Sequence, residues 1–198
     1  MIIGVLALQG GVDEHLQMLE ELGVTGRKVR LSRDLDGISG IILPGGESSV
    51  MDKLARALDL AEPLRQRIEE GLPVLATCAG LIYAAKTVEN PAPGQQTLGV
   101  LDISVQRNAF GSQKNSFDTE LDIALPDKVL EKVQASFIRA PQVVSWGGDV
   151  TPISILGNGA VVGVSQRNIL ALSFHPEETG DSRVHQAWLD TLKKNSDQ

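Results

Sequence analysis

A chain of 198 residues, 42% of them apolar, has enough material for one well-filled core and little for two, so a single domain over 1–198 is expected. A formal charge of -7 and a pI near 5.0 exclude the basic face that nucleic acid or an anionic membrane surface requires. The single cysteine cannot form an internal disulfide and Cys and His make no metal-type cluster, so we expect no metal, no cofactor and a reducing cytoplasm.

Residues 2–8 are almost continuously apolar, as a strand covered on both faces must be. They lack the basic flank of a signal peptide, and no run in the chain reaches the ~18 to 20 apolar residues of a membrane span. Val12, Leu16 and Leu19 follow helical spacing, and Gly23 can close that helix in a left-handed conformation. Residues 27–31 are too charged for a central strand and suit an edge, whereas 38–43 read as a buried strand. After the loop 44–49, Val50, Leu54, Ala57 and Leu58 mark one helical face and Leu64 and Ile68 another. Residues 73–77 then read as a strand and 79–86 as a helix. Strands alternating with helices through short crossovers imply an α/β fold with a parallel, doubly wound sheet.

Beyond Lys86 the texture changes. Strand-like segments at 98–106, 119–124, 135–138, 153–156, 160–165 and 168–174 are separated by turns, the last two forming a hairpin across 166–168. Val184, Trp188 and Leu192 mark a closing helix. Residues 141–155 read as a surface loop.

The only cysteine sits between the strand 73–77 and the helix that follows. A side chain on such an elbow stands over the C-terminal edge of the sheet and needs small neighbours two residues away on either side, here Ala76 and Gly80. The helix directs its free N–H groups at the sulfur, which favours the thiolate. Cys78 is therefore a candidate nucleophile, and it needs a base. His15 and His185 lie in helices and read as solvated positions. His175 instead directly follows an apolar strand, at the sheet edge where doubly wound folds gather their ligands. Pro176 favours an extended His175, and an extended chain would turn residues 175 and 177 to the same side, so that Glu177 orients the imidazole. Across the edge, the loop 44–49 brings glycine backbone close, and a donor from Gly46 with the N–H of Ala79 would form an oxyanion hole. By itself that loop also suits a helix cap with Ser48 as the capping residue.

Pro44-Gly45-Gly46-Glu47-Ser48, Thr77-Cys78-Ala79-Gly80-Leu81 and His175-Pro176-Glu177, in this order, resemble the class I (triad) glutamine amidotransferases. More narrowly, residues 3–10, Arg107-Asn108-Ala109-Phe110-Gly111-Ser112, residues 137–141 and the ending 175–179 resemble the family of glutaminase subunits of pyridoxal 5′-phosphate synthase. That resemblance implies a flavodoxin-like three-layer fold and hydrolysis of L-glutamine to glutamate and ammonia. It also implies delivery of the ammonia to a (β/α)8-barrel synthase subunit in a large hetero-oligomer. It makes Cys78 the nucleophile, His175 the base and then acid, and Glu177 the orienting carboxylate. Gly46, Glu47 and Ser48 would hold glutamine, and Arg107, Ile138 and Arg139 would meet its amino-acid end. The alternatives are another amidase or protease of the cysteine-elbow superfamily, or a binding module with an inert cysteine.

Overall fold

The computed structural model of the protein describes residues 1–110 and 116–196. Strand and helix alternate through β1 (Ile2–Leu6), α1 (Val12–Glu21), β2 (Thr25–Val29), β3 (Gly40–Leu43), α2 (Ser48–Ala57), α3 (Ala61–Glu69), β4 (Val74–Thr77) and α4 (Ala79–Ala84). Strands β5 (Ala85–Val88), β6 (Leu101–Gln106), β7 (Phe117–Ala124), β8 (Val129–Phe137), β9 (Gln142–Trp146), β10 (Thr151–Ile155), β11 (Val161–Gln166) and β12 (Ile169–Leu172) follow, and α5 (Arg183–Ser196) closes the chain.

A ten-stranded sheet runs in the order β2-β1-β3-β4-β12-β11-β9-β6-β5, with β10 paired to β11. The half from β2 to β12 is parallel throughout. The other half is built on the antiparallel β11–β12 hairpin and the antiparallel pairing of β6 with β9. Charged β2 forms the edge, as its composition predicts.

Central strands are almost wholly apolar because each serves two cores. On one face Leu6, Ile41, Leu43, Val74 and Ala76 pack with Met51 and Ala55 of α2, Leu64 and Ile68 of α3 and Leu81 of α4. On the other, Ile3, Val5, Ile42, Leu75 and Leu172 pack with Leu19 of α1 and Val184, Trp188 and Leu192 of α5. Successive residues of one strand thus enter opposite layers, the period of two that a pleated strand imposes. A separate two-stranded ribbon, β7–β8, lies against the second face through Leu121, Ile123, Val133, Ala135 and Phe137.

Some local expectations are corrected. The helix after Cys78 stops at Ala84, and Ala85 to Val88 form β5, where Lys86 is exposed and Ala85 buried. The stretch read as a surface loop contains β9, which sits inside the sheet between β6 and β11 and buries Val143. Its polar Gln142 and Ser145 hide it in the sequence, because one face of β9 is only partly covered. The cap of α2 is Glu47, whose carboxylate accepts from the backbone N–H of Ser49 at 3.3 Å, and not Ser48.

Candidate active site

Strand β4 ends at Thr77 and α4 begins at Ala79, so Cys78 carries the whole change of direction, at φ 45° and ψ −103°. Its backbone N–H donates to Leu172 O at 2.8 Å, tying the elbow to the end of the neighbouring strand β12. Gly80 is what lets α4 fold back so closely: a Cβ there would stand 2.0 Å from Leu43 O. A side chain at 80 would push the helix off β3 and move the cysteine.

Leu172 is in register with Thr77, so the chain leaving β12 and the chain leaving β4 emerge side by side at one sheet edge. That brings His175 to Cys78. The backbone N–H of His175 donates to Ser136 O at 3.0 Å, an isolated antiparallel bridge that fastens the histidine to the end of β8. The chain then turns. Residues Pro176–Thr179 form a 3-10 turn with proline in its first position, and not the extended segment expected, yet the turn carries Glu177 beneath the imidazole. The Nδ1–H of His175 donates to Glu177 Oε1 at 2.8 Å.

The electrostatics follow from this packing. Burial alone would push His175 down, but hydrogen bonds with Cys78 and Glu177, and the charges on both, outweigh it and raise the imidazole to about 10. At neutral pH the ring is therefore an imidazolium between two acidic partners. Glu177 is pushed up by burial, and His15 and His175 more than offset that, so its carboxyl titrates below the usual carboxylate range and stays ionised.

Above the cysteine lies a cavity of about 160 Å³. Gly46, Glu47 and Ser48 line one wall, Cys78 and His175 the floor, and Arg107, Ile138 and Arg139 the rim, with Ile82 and Asn108 between them. The structure thus brings together the candidate residues, with two set back: Glu177 lies behind His175, and Ala79 is buried in the first turn of α4. Gly111 and Ser112 of the arginine motif lie outside the described residues.

Arg107 is already engaged. Its guanidinium donates to Glu47 Oε1 at 3.0 Å and to Gln95 Oε1 at 3.1 Å. Arg139, at φ 49°, is exposed at the rim and has no ion-pair partner among the described residues. Ala109 N–H donates to Ala140 O at 3.0 Å, which sets the two arginine segments side by side.

Several supporting residues were not singled out by sequence reasoning. Gln95, in the loop between β5 and β6, donates to Ser48 Oγ at 2.9 Å while accepting from Arg107. Asn90 of the same loop accepts from the backbone N–H of Arg107 at 2.7 Å. Gln9 differs, since Gln9-Gly10-Gly11 reads from the sequence as a turn at the C-terminal end of the first strand that faces the same cleft; its side chain accepts from the backbone N–H of Glu47. Their one signal was position, since each lies in a loop at the C-terminal edge of the sheet.

The other two histidines are a correction. Far from being solvated, His15 and His185 are fully buried. α1 and α5 lie side by side on one face of the sheet, and each turns its histidine inward toward the other.

A cysteine elbow beside a histidine–carboxylate pair, on a three-layer sheet of this topology, defines the glutamine amidotransferase class. The chain belongs to the SNO glutamine amidotransferase family, whose sequence model matches residues 5–194. It is 62% identical over 197 residues to the pyridoxal 5′-phosphate synthase subunit PdxT of Corynebacterium glutamicum, covering 100% of this chain and 98% of that one. It is 58% identical over 192 residues to the protein of that name from Corynebacterium diphtheriae, covering 97% and 100%. A solved glutamine amidotransferase superposes with a TM-score of 0.89 at 41% identity, over 98% of this chain and 100% of that one. A solved GMP synthase component from Thermoplasma acidophilum, at 19% identity and a TM-score of 0.72 over 100% and 96%, shares the fold.

Proposed function

We propose that Cys78, His175 and Glu177 act as the triad that hydrolyses the side-chain amide of L-glutamine. Glutamine hydrolysis for vitamin B6 synthesis is the activity of the SNO glutamine amidotransferase family to which the chain belongs. The observation that carries the assignment is that Cys78 and His175 share one cavity floor while Glu177 holds the far nitrogen of the imidazole at 2.8 Å.

With its proton resting on His175, the Cys78 sulfur attacks the amide carbon as the thiolate, and the oxygen takes up negative charge opposite the Gly46 and Ala79 backbone donors. One such donor is typically worth ~2.7 to 4 kcal/mol in the transition state. The imidazolium of His175 protonates the departing nitrogen, which leaves as ammonia and leaves a thioester. His175, now neutral, takes a proton from water as the water attacks the thioester carbon, and glutamate leaves as the sulfur is released. Glu177 keeps Nδ1 protonated throughout, so that Nε2 is the atom that exchanges protons.

Specificity for an amino acid follows from the charges at the rim. Arg139 is the cation open to the substrate carboxylate, and Glu47 offers its carboxylate to the substrate ammonium while Arg107 and Gln95 hold it in place. Ser48 and Ile138 complete the fit.

The ammonia goes to a (β/α)8-barrel synthase subunit of the pyridoxal 5′-phosphate pathway, in a hetero-oligomer, with residues 1–198 acting as one glutaminase unit in the cytoplasm. No helix among the described residues is long and apolar enough to cross a membrane. The Gly45-Gly46 segment is the part of the oxyanion wall able to change backbone conformation, so hydrolysis is slow alone and faster with the synthase. Mixing the protein with the synthase encoded in the same genome, and following ammonia and pyridoxal phosphate together, tests this. Cys78→Ala should abolish both; retained hydrolysis would overturn the assignment.

A further inference from the structure

Two buried imidazoles stand behind the proposed triad. His15 Nδ1 lies 2.9 Å from His185 Nε2, and the opposite nitrogen, His15 Nε2, lies 3.2 Å from Thr77 Oγ1 and 3.5 Å from Glu177 Oε1. One ring from α1 therefore touches both the residue that precedes the cysteine and the carboxylate that orients the base. Burying two polar rings is costly unless their hydrogen bonds are made, so packing alone is a poor reason for the pair.

The hydrogen-bond directions can be worked out. Burial lowers the proton affinity of both rings, so each is neutral, with one N–H and one bare nitrogen. If His15 carried its proton on Nδ1, its bare Nε2 would face the ionised Glu177. His185 would then carry its proton on Nδ1, a buried atom with no partner. If instead His185 Nε2–H donates to His15 Nδ1, then His15 Nε2–H points at Thr77 and Glu177, and only a bare nitrogen of His185 is left unpaired. The second arrangement leaves no donor stranded and sets no lone pair against a carboxylate.

The Glu177 carboxylate is held by few groups: Oε2 has no hydrogen-bond partner among the described residues, Oε1 meets His175 on one side and His15 on the other, and the residue's own backbone N–H adds a local hydrogen bond. We infer that His15, locked in its Nε2–H tautomer by His185, is a positioning residue that keeps Glu177 aimed at His175 and joins it to the elbow through Thr77. This rests on the triad assigned above.

The test compares two substitutions that keep different halves of the ring. His15→Asn can still meet His185 from the Nδ1 position but cannot reach Glu177, whereas His15→Gln places an amide N–H near the site of Nε2. With the full chain in complex with its synthase, His15→Asn should lower kcat for glutamine hydrolysis about tenfold or more with KM unchanged, in line with the usual effect of removing an orienting partner. His15→Gln should recover most of that loss at the same thermal stability. Equal rates in the two variants, or a loss that simply follows melting temperature, would overturn the inference. The wild-type protein supplies an independent check: nitrogen chemical shifts should place the proton of His15 on Nε2, and a proton on Nδ1 would overturn it without any variant. Cys78→Ala measured alongside separates the two levels. If that variant still hydrolyses glutamine, the triad reading fails; if it is dead and His15→Asn runs at the parental rate, only the role of His15 fails.

Discussion

Gly45 and the imidazole of His175 fill one space between them: a Cβ on residue 45 would stand 2.2 Å from Cε1 and 2.8 Å from Nδ1 of that ring. The glycine next to the proposed oxyanion wall is therefore also the seat of the proposed base. Gly45→Ala should leave the protein folded but displace the ring from Cys78. A misplacement of about 1 Å in a reacting group can cost ~10²-fold. We expect a fall in kcat of that order with the circular dichroism spectrum unchanged, and parental kcat would show that the ring has room to spare.

The elbow conformation itself has an energetic signature. A non-glycine residue held at φ 45° and ψ −103° carries strain of about 1 to 3 kcal/mol. Both Cys78→Ala and Cys78→Gly remove the sulfur, but only glycine relieves the backbone. Urea unfolding should find Cys78→Gly the more stable of the two inactive variants by about 1 kcal/mol or more, and the reverse order would speak against a strained elbow.

Acid should unfold this protein earlier than its carboxylates alone would require. His185 lies at about 3 in the folded state, pushed down first by burial and then by His15, against an ordinary 6.5. As pH falls below 6.5 the unfolded chain takes up the proton that the folded chain refuses, so stability drops between pH 6.5 and 3 by up to about 1.4 kcal/mol per pH unit. His15 is lowered by the same cause and adds to the loss. His175 has the opposite sign: raised to about 10, its contribution is complete below 6.5 and disappears only as pH rises toward 10. Unfolding free energies at pH 6.5 and pH 5, a window in which the His175 contribution is nearly constant, should differ by about 1 kcal/mol or more, and His185→Leu should flatten that slope.

At the rim, the two arginines should separate kinetically. Arg139→Ala removes the unpaired cation, and a charge-assisted hydrogen bond contributes roughly 1.5 to 3 kcal/mol, so KM for glutamine should rise about 10-fold to 100-fold with kcat changed far less. Arg107→Ala frees Glu47 and Gln95 as well, and should disturb KM and kcat together. Identical effects from the two would refute this division.

The parallel half of the sheet was legible because strands covered on both faces must be almost wholly apolar, and residues 2–6, 40–43 and 74–76 are apolar at every position. The elbow was legible for a related reason: a lone cysteine between small residues, after a strand, leaves few other conformations. β9 was not, because polar Gln142 and exposed Ser145 interrupt its apolar residues and one of its pairing partners, β6, lies far away along the chain. His15 illustrates a different limit. Between Glu14 and Leu16, it sits on a helix whose neighbours are acidic or half-exposed, and nothing local reveals that α5 brings a second histidine to it. The turn after Pro176 shows a third, since the pairing of His175 with Glu177 was reached from a wrong picture of the backbone between them.

The ribbon β7–β8 looks like an accessory to the sheet, yet its end acts as a jig. Within four consecutive residues, Ser136 fastens the backbone of His175, Phe137 stacks on Phe117 at 4.7 Å and tilts against Phe174 at 5.5 Å, and Ile138 and Arg139 form the cavity rim. The proposed grip of Arg139 on a substrate carboxylate is therefore built on the same short rod as the support of the imidazole. A pull on Arg139 would be transmitted to His175 through covalent bonds and one backbone hydrogen bond, so the fit of that carboxylate and the alignment of the proposed base are mechanically linked.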